Sequence, residues 1–175
     1  MFRLLPPPRT IEVAAAAILI GGSLATASVA SERSSLPRAL VGSWTLVAAD
    51  VRHPDGSIGH DYGEAPRGRM TIDAAGRYTL MIYKGDRPRF ASNDRAAGTA
   101  EEYRNAALGL STHYGTLDVD AKARTLSFAI EQASFANWNG TTQVRSYDLR
   151  WGVLRYTVPA RPNGDVPISA WRKVG

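Results

Sequence analysis

Arg145 is the residue with the clearest chemical potential in this chain. It lies in the run Thr141-Thr142-Gln143-Val144-Arg145-Ser146-Tyr147, where two-residue alternation puts Gln143, Arg145 and Tyr147 on one face and Val144 and Ser146 on the other. A guanidinium fork, an amide and a phenol on one strand face can hold a carboxylate or a carbonyl by paired hydrogen bonds. Glu131, on the preceding predicted strand, is the ion partner within reach of Arg145. Such a pair, if buried, would fix the sheet instead of holding a ligand, and removing one member would cost about 3–5 kcal/mol. His113 titrates near neutrality and is a weak candidate for a general acid or base, as is Glu131. Neither has a visible nucleophile beside it. Trp138, in the turn Asn137-Trp138-Asn139-Gly140, joins Arg145, Gln143, Tyr147 and His113 in the expected ligand-facing set.

Other chemistries find little support. His53, Asp55, His60 and Asp61 crowd one loop, but their spacing fits no zinc pattern, so no metal site is expected. There is no Gly-x-Ser-x-Gly elbow, no phosphate-cradling glycine loop and no dinucleotide fingerprint, and no cofactor is expected. Cysteine is absent, which excludes disulfides, thiolate metal sites and a cysteine nucleophile. Seven basic residues between Arg67 and Arg95 face only Asp73, Asp86 and Asp94. They fall at strand ends and in a loop, which reads as a solvated basic rim and not as a nucleic-acid surface.

The elements that would position these residues are mostly strands. Residues 1–30 read as a secretory signal: Arg3 and Arg9 make a basic start, Val13 to Ala30 carries no charge, and Ser28-Val29-Ala30 offers a small-residue cleavage site. This predicts a periplasmic or secreted protein without stable membrane insertion once the signal is removed. The remainder, taken as one domain over residues 36–174, is long enough to bury about two thirds of its unfolded surface.

Gly42 to Val51 alternates as a first strand, with Trp44, Leu46 and Ala48 expected on one face and Thr45, Val47 and Ala49 on the other. A weak strand is expected near Ile58. Arg67 to Asp73 and Arg77 to Lys84 form a hairpin about Asp73-Ala74-Ala75-Gly76. Further strands come at His113 to Val119, Arg124 to Glu131 (Leu126, Phe128 and Ile130 on one side), Thr141 to Arg150, Val153 to Val158 and Pro167 to Lys173. Trp151-Gly152 and Asn163-Gly164 mark tight turns. Between the fourth strand and His113, Thr99-Ala100-Glu101-Glu102 is a capping box. The stripe Tyr103, Ala106, Ala107, Leu110 predicts a short helix across the barrel, as a lid or a plug. The whole predicts an all-β, up-and-down antiparallel barrel of about eight strands with one short helix in a long inter-strand segment.

The ordered set Leu40-x-Gly42-x-Trp44, Gly68-Arg69, Gly76-Arg77-Tyr78, Asn137-Trp138-x-Gly140-x-x-Gln143-x-Arg145 and a closing Trp171 resembles the bacterial and fungal lipocalin-like domain family. The resemblance implies a calycin-type barrel around a central cavity, with Trp44 at the barrel floor and a last-strand cation, Arg172 or Lys173, packed over it. The chain departs from the family pattern at His113-Tyr114-Gly115-Thr116-Leu117, at Ser127-Phe128 and at Trp171-Arg172-Lys173. The first two departures change cavity polarity, so a relative's ligand does not transfer.

The expected function is binding of a small, mainly hydrophobic molecule in the barrel. The alternative is a barrel enzyme that isomerises, cyclises or hydrolyses a hydrophobic metabolite, with His113, Glu131 or Arg145 stabilising charge. A third expectation is a filled barrel that meets an envelope partner through its basic rim.

Overall fold

The computed structural model describes residues 36–174; the expected signal at residues 1–30 lies outside them. Nine strands, one α-helix and a single 3-10 turn (Ala136–Trp138, between β6 and β7) come in order: β1 (Gly42–Arg52), β2 (Ile58–Gly59), β3 (Arg67–Ile72), β4 (Arg77–Tyr83), α1 (Ala100–Leu108), β5 (Leu110–Asp120), β6 (Thr125–Ala133), β7 (Thr142–Arg150), β8 (Val153–Thr157) and β9 (Val166–Lys173). Each long strand is antiparallel to its neighbours in sequence, and β9 pairs back onto β1 from Trp44↔Lys173 to Arg52↔Val166. Eight long strands therefore close a barrel, and the two-residue β2 caps one end of β1. Closure leaves no free sheet edge along the wall and compensates for the missing disulfides.

Local chemistry accounts for the turns. Gly76 (φ 81°) ends the β3–β4 turn, and Trp151 (φ 49°) with Gly152 (φ 72°) makes the two-residue reversal between β7 and β8, which requires two left-handed residues. Alternation along the strands then sends one residue in two to the core. In β4, Tyr78, Leu80 and Ile82 are buried; in β6, Leu126, Phe128 and Ile130 are.

The floor is packed solid. Trp44 is fully buried, and its indole N–H donates to the Leu40 carbonyl at 3.1 Å. Because Trp44 is paired with Lys173 across the β1–β9 seam, those two residues share a face, while Arg172 is paired with Thr45 and points out. Lys173 is the cation over the indole, with Nζ 5.5 Å from the ring centroid and hydrogen-bonded to the Ala39 carbonyl at 2.8 Å.

Two expectations need correcting. Strand β1 does not alternate evenly, because a bulge between Leu46 and Ala48 shifts its register against β9. Beyond it the inward residues are Ala49 and Val51, not Ala48. An extra residue in one strand bends it and re-aims the side chains beyond the bend. The second correction concerns the helix. The capping box at Thr99 and Glu102 is formed, but α1 buries no residue. Leu110, the end of the expected stripe, opens β5 instead. Tyr103 is tied down locally, stacked edge-on with Phe90 and donating its hydroxyl to the Arg95 carbonyl at 2.9 Å. No residue of α1 lines the cavity.

Candidate functional site

The half of the barrel opposite Trp44 is hollow. A cavity of about 350 Å³ opens at the end where β4 leaves for α1 and where the β6–β7 and β8–β9 turns lie. Leu80, Ile82, Val51, Ala49, Val158 and Ile168 make apolar walls, and the bulge in β1 is what turns Ala49 and Val51 inward. His113, Gln143, Arg145 and Tyr156 form its inner, polar end, with Trp138 and Tyr62 along the sides.

Arg145 is the centre of that polar end. Only 3% of it is exposed. Its guanidinium lies over two rings, with Cζ 4.1 Å from the Phe128 centroid and 5.0 Å from that of Tyr156. Nη2 donates to Gln143 Oε1 at 2.8 Å and approaches His113 Nε2 at 3.3 Å, while Nε is buried without a partner. Among the described residues no carboxylate pairs with it. Glu131, the partner expected from sequence, is the residue left unpaired at the β5–β6 bulge, and it is exposed. Burial pulls the Arg145 pKa down from its ordinary value, opposed by the hydroxyls of Tyr156 and Tyr78. A guanidinium in a protein nonetheless stays protonated.

His113 is held neutral. Burial first, and Arg145 second, lower its pKa to about 3. A neutral imidazole has one donor nitrogen and one acceptor, and Arg145 can only donate. The hydrogen-bond network therefore assigns the lone pair to Nε2 and the proton to Nδ1, which donates to the Tyr78 hydroxyl at 2.8 Å. Burial raises the Tyr78 pKa well above that of an ordinary phenol, so the hydroxyl keeps its own hydrogen for another acceptor.

The mouth is fastened by charge. The loop after β1 and the β8–β9 turn meet through His53 Nδ1 and Asp165 Oδ1 at 2.8 Å and Arg161 Nη2 and Asp61 Oδ2 at 2.7 Å. Hydrogen bonding to Asp165 raises the His53 pKa, and bonds from His53 and then Asn163 lower that of Asp165. His60 bonds Asp50 at 3.0 Å. The loop histidines and aspartates thus serve as clasps, and among the described residues no group of three or more such side chains is placed to hold a metal ion.

Of the residues singled out from sequence, the structure brings Arg145, Gln143, His113 and Trp138 to one cavity. Tyr147 shares their face but sits nearer the floor, half-buried against the core. Glu131 is exposed at the β5–β6 bulge, and Arg172 stands on the outer wall. Tyr78 and Tyr156, not among the residues expected from sequence, complete the surroundings of Arg145. Both stand at inward positions of alternating strands, but only the closed sheet shows which inward residues meet.

The fold and site define a closed antiparallel barrel with a small-molecule-sized cavity and one cationic end. A family model described as a lipocalin-like domain matches residues 41–174. The chain belongs to the lipocalin-like domain family. Among solved structures it is similar to a mutant of the fluorescent protein UnaG, with a TM-score of 0.35 and 12% identity over 77% of this chain and 96% of that one. No curated protein sequence matches it. Among the described residues no helix is long and apolar enough to cross a membrane.

Proposed function

We propose that this chain is an exported binding protein that holds a small, mainly apolar molecule in the barrel cavity. The observation that carries the reading is the cavity itself: about 350 Å³, walled mainly by apolar side chains, with Arg145, Gln143, His113 and Tyr156 at its inner end and Asp50 and Arg161 near the mouth. Small-molecule sites have this form, an apolar cleft with a few polar groups that fix orientation. Arg145 and Gln143 anchor the ligand, and Trp138 and Tyr62 pack along its body. The signal-like residues 1–30 support export. The enzymatic alternative is weaker on geometry. Glu131 is exposed, the His113 lone pair is directed at a cation, and the carboxylate on the cavity wall, Asp50, sits near the mouth in a bond with His60.

Native mass spectrometry of protein taken gently from the producing cells tests the proposal. The expected result is a reproducible added mass that organic solvent removes. An empty barrel that also fails to bind a lipophilic dye would overturn it.

A further inference from the structure

The geometry points to an ionised acid as the ligand's polar group: a carboxylate seated against Arg145 at the inner end, on a compact apolar body that extends toward the mouth. This rests on the binding reading above and narrows it.

Three observations converge. The first is charge. Arg145 is a buried cation with no anionic partner among the described residues, and the two aromatic faces beneath it only partly replace the lost water. An anion entering the cavity would complete the pair.

The second is the donor count. Arg145 Nε–H has no acceptor. Gln143 spends its carbonyl oxygen on Arg145, which leaves its amide N–H groups over. His113 spends its lone pair on Arg145 and its proton on Tyr78, which frees the Tyr78 hydroxyl hydrogen. The Tyr156 hydroxyl, which interacts with Arg145, can accept as well as donate, but it carries no charge, so the polar end still has more donors than acceptors and no anion. A carboxylate, which only accepts, satisfies it; an alcohol or amide brings a further donor, and an ester brings no charge.

The third is placement. The one carboxylate on the cavity wall is Asp50, near the mouth and held by His60, so nothing negative faces Arg145 from inside. The other cation on the wall, Arg161, is already paired with Asp61. The Trp171 indole N–H also lacks a partner, but it belongs to the packed floor and not to the cavity wall.

Calorimetric titration of the purified protein at pH 7 with 1-naphthoate, its methyl ester and 1-naphthalenemethanol tests the inference. The acid is expected to bind about 100-fold more tightly than the two neutral compounds. In Arg145→Met that preference should collapse to within a few-fold while the ester still binds; in Arg161→Gln it should persist. Equal affinity for acid and ester in the unaltered protein would overturn the acid assignment and leave the cavity reading standing. Binding of none of the three would overturn both. A preference that survives Arg145→Met would also overturn the assignment. Should that variant fail to fold, a carboxyl-labelled naphthoate bound to the unaltered protein decides by NMR. Its pKa should fall by at least about one unit on binding, a tenfold linkage, and an unchanged or raised value would sink the proposal.

Discussion

Acidification between pH 6.5 and 4.5 should destabilise this protein through one residue, His113. Its pKa is lowered to about 3 in the fold, against 6.5 for the free side chain. A group depressed in this way contributes stability in full above its unfolded value. That contribution drains away as the pH falls, because the unfolded chain takes up a proton that the folded chain refuses, and it is gone once the pH passes the folded value. The slope approaches 1.4 kcal/mol per pH unit, and from pH 6.5 to 4.5 the integrated loss is about 2 kcal/mol. The window is clean. The clasp at the mouth is complete below pH 6.5 on the His53 side, because the His53 pKa is raised. The carboxylates with lowered values, Asp55, Asp73, Asp165 and Glu102, start from 3.8 to 4.5, so their contribution begins to drain only at the bottom of the window. Urea unfolding monitored by tryptophan fluorescence at pH 6.5, 5.5 and 4.5 measures the loss directly. His113→Gln, which can still accept from Arg145 and donate to Tyr78, should be flat across the same range. A flat profile in the unaltered protein, or an equal slope in the variant, would refute the burial and the tautomer assigned to His113.

The remaining predictions concern stability. Arg145→Met should change it by no more than about 2 kcal/mol in either direction, since relief from burying an unpaired cation offsets the lost hydrogen bonds and ring contacts. A denaturant series showing a loss above about 3 kcal/mol would make Arg145 a strut of the sheet instead of a ligand group. Lys173→Met should cost about 1–2 kcal/mol by removing the cation over Trp44 and the bond to the Ala39 carbonyl, whereas Arg172→Met should cost under about 0.5 kcal/mol. Equal drops by scanning calorimetry would contradict that division of roles. At Gly115, beside the β5–β6 bulge, an added Cβ would collide with the Ala129 carbonyl oxygen. Gly115→Ala should therefore cost at least about 2–3 kcal/mol, read as a lowered thermal midpoint by circular dichroism; an unchanged midpoint would show that the backbone there yields freely.

Strand and turn chemistry is local, and this is why so much of the barrel can be read from sequence. Period-two alternation puts Leu126, Phe128 and Ile130 on one face whatever surrounds them, and Asn163-Gly164 or Trp151-Gly152 can supply left-handed turn residues from composition alone. The capping box at Thr99 is equally local, and it forms as its four residues predict. Whether α1 covers the cavity is not local. Its stripe is weak, and no neighbouring wall buries it.

The departures share one origin. Residues on one strand report their own faces but not their partners on other strands. Glu131 is the unpaired residue of the β5–β6 bulge, and its separation from Arg145 follows from strand pairing that β6 alone does not report. The bulge at Leu46/Ala48 carries no composition signal of its own; it falls just beyond the four residues of β1 that pair with β3, within the longer seam with β9. The amino-acid order alone settled the strands, the turns and, away from the β1 bulge, most inward residues of this lipocalin-like barrel. Closure settled which of those residues meet: it set Lys173 on Trp44, turned Ala49 and Val51 into the cavity, and gathered Tyr78, His113, Phe128 and Tyr156 around a cation with no anion of its own. Those contacts join strands far apart in the chain, and no local rule encodes them.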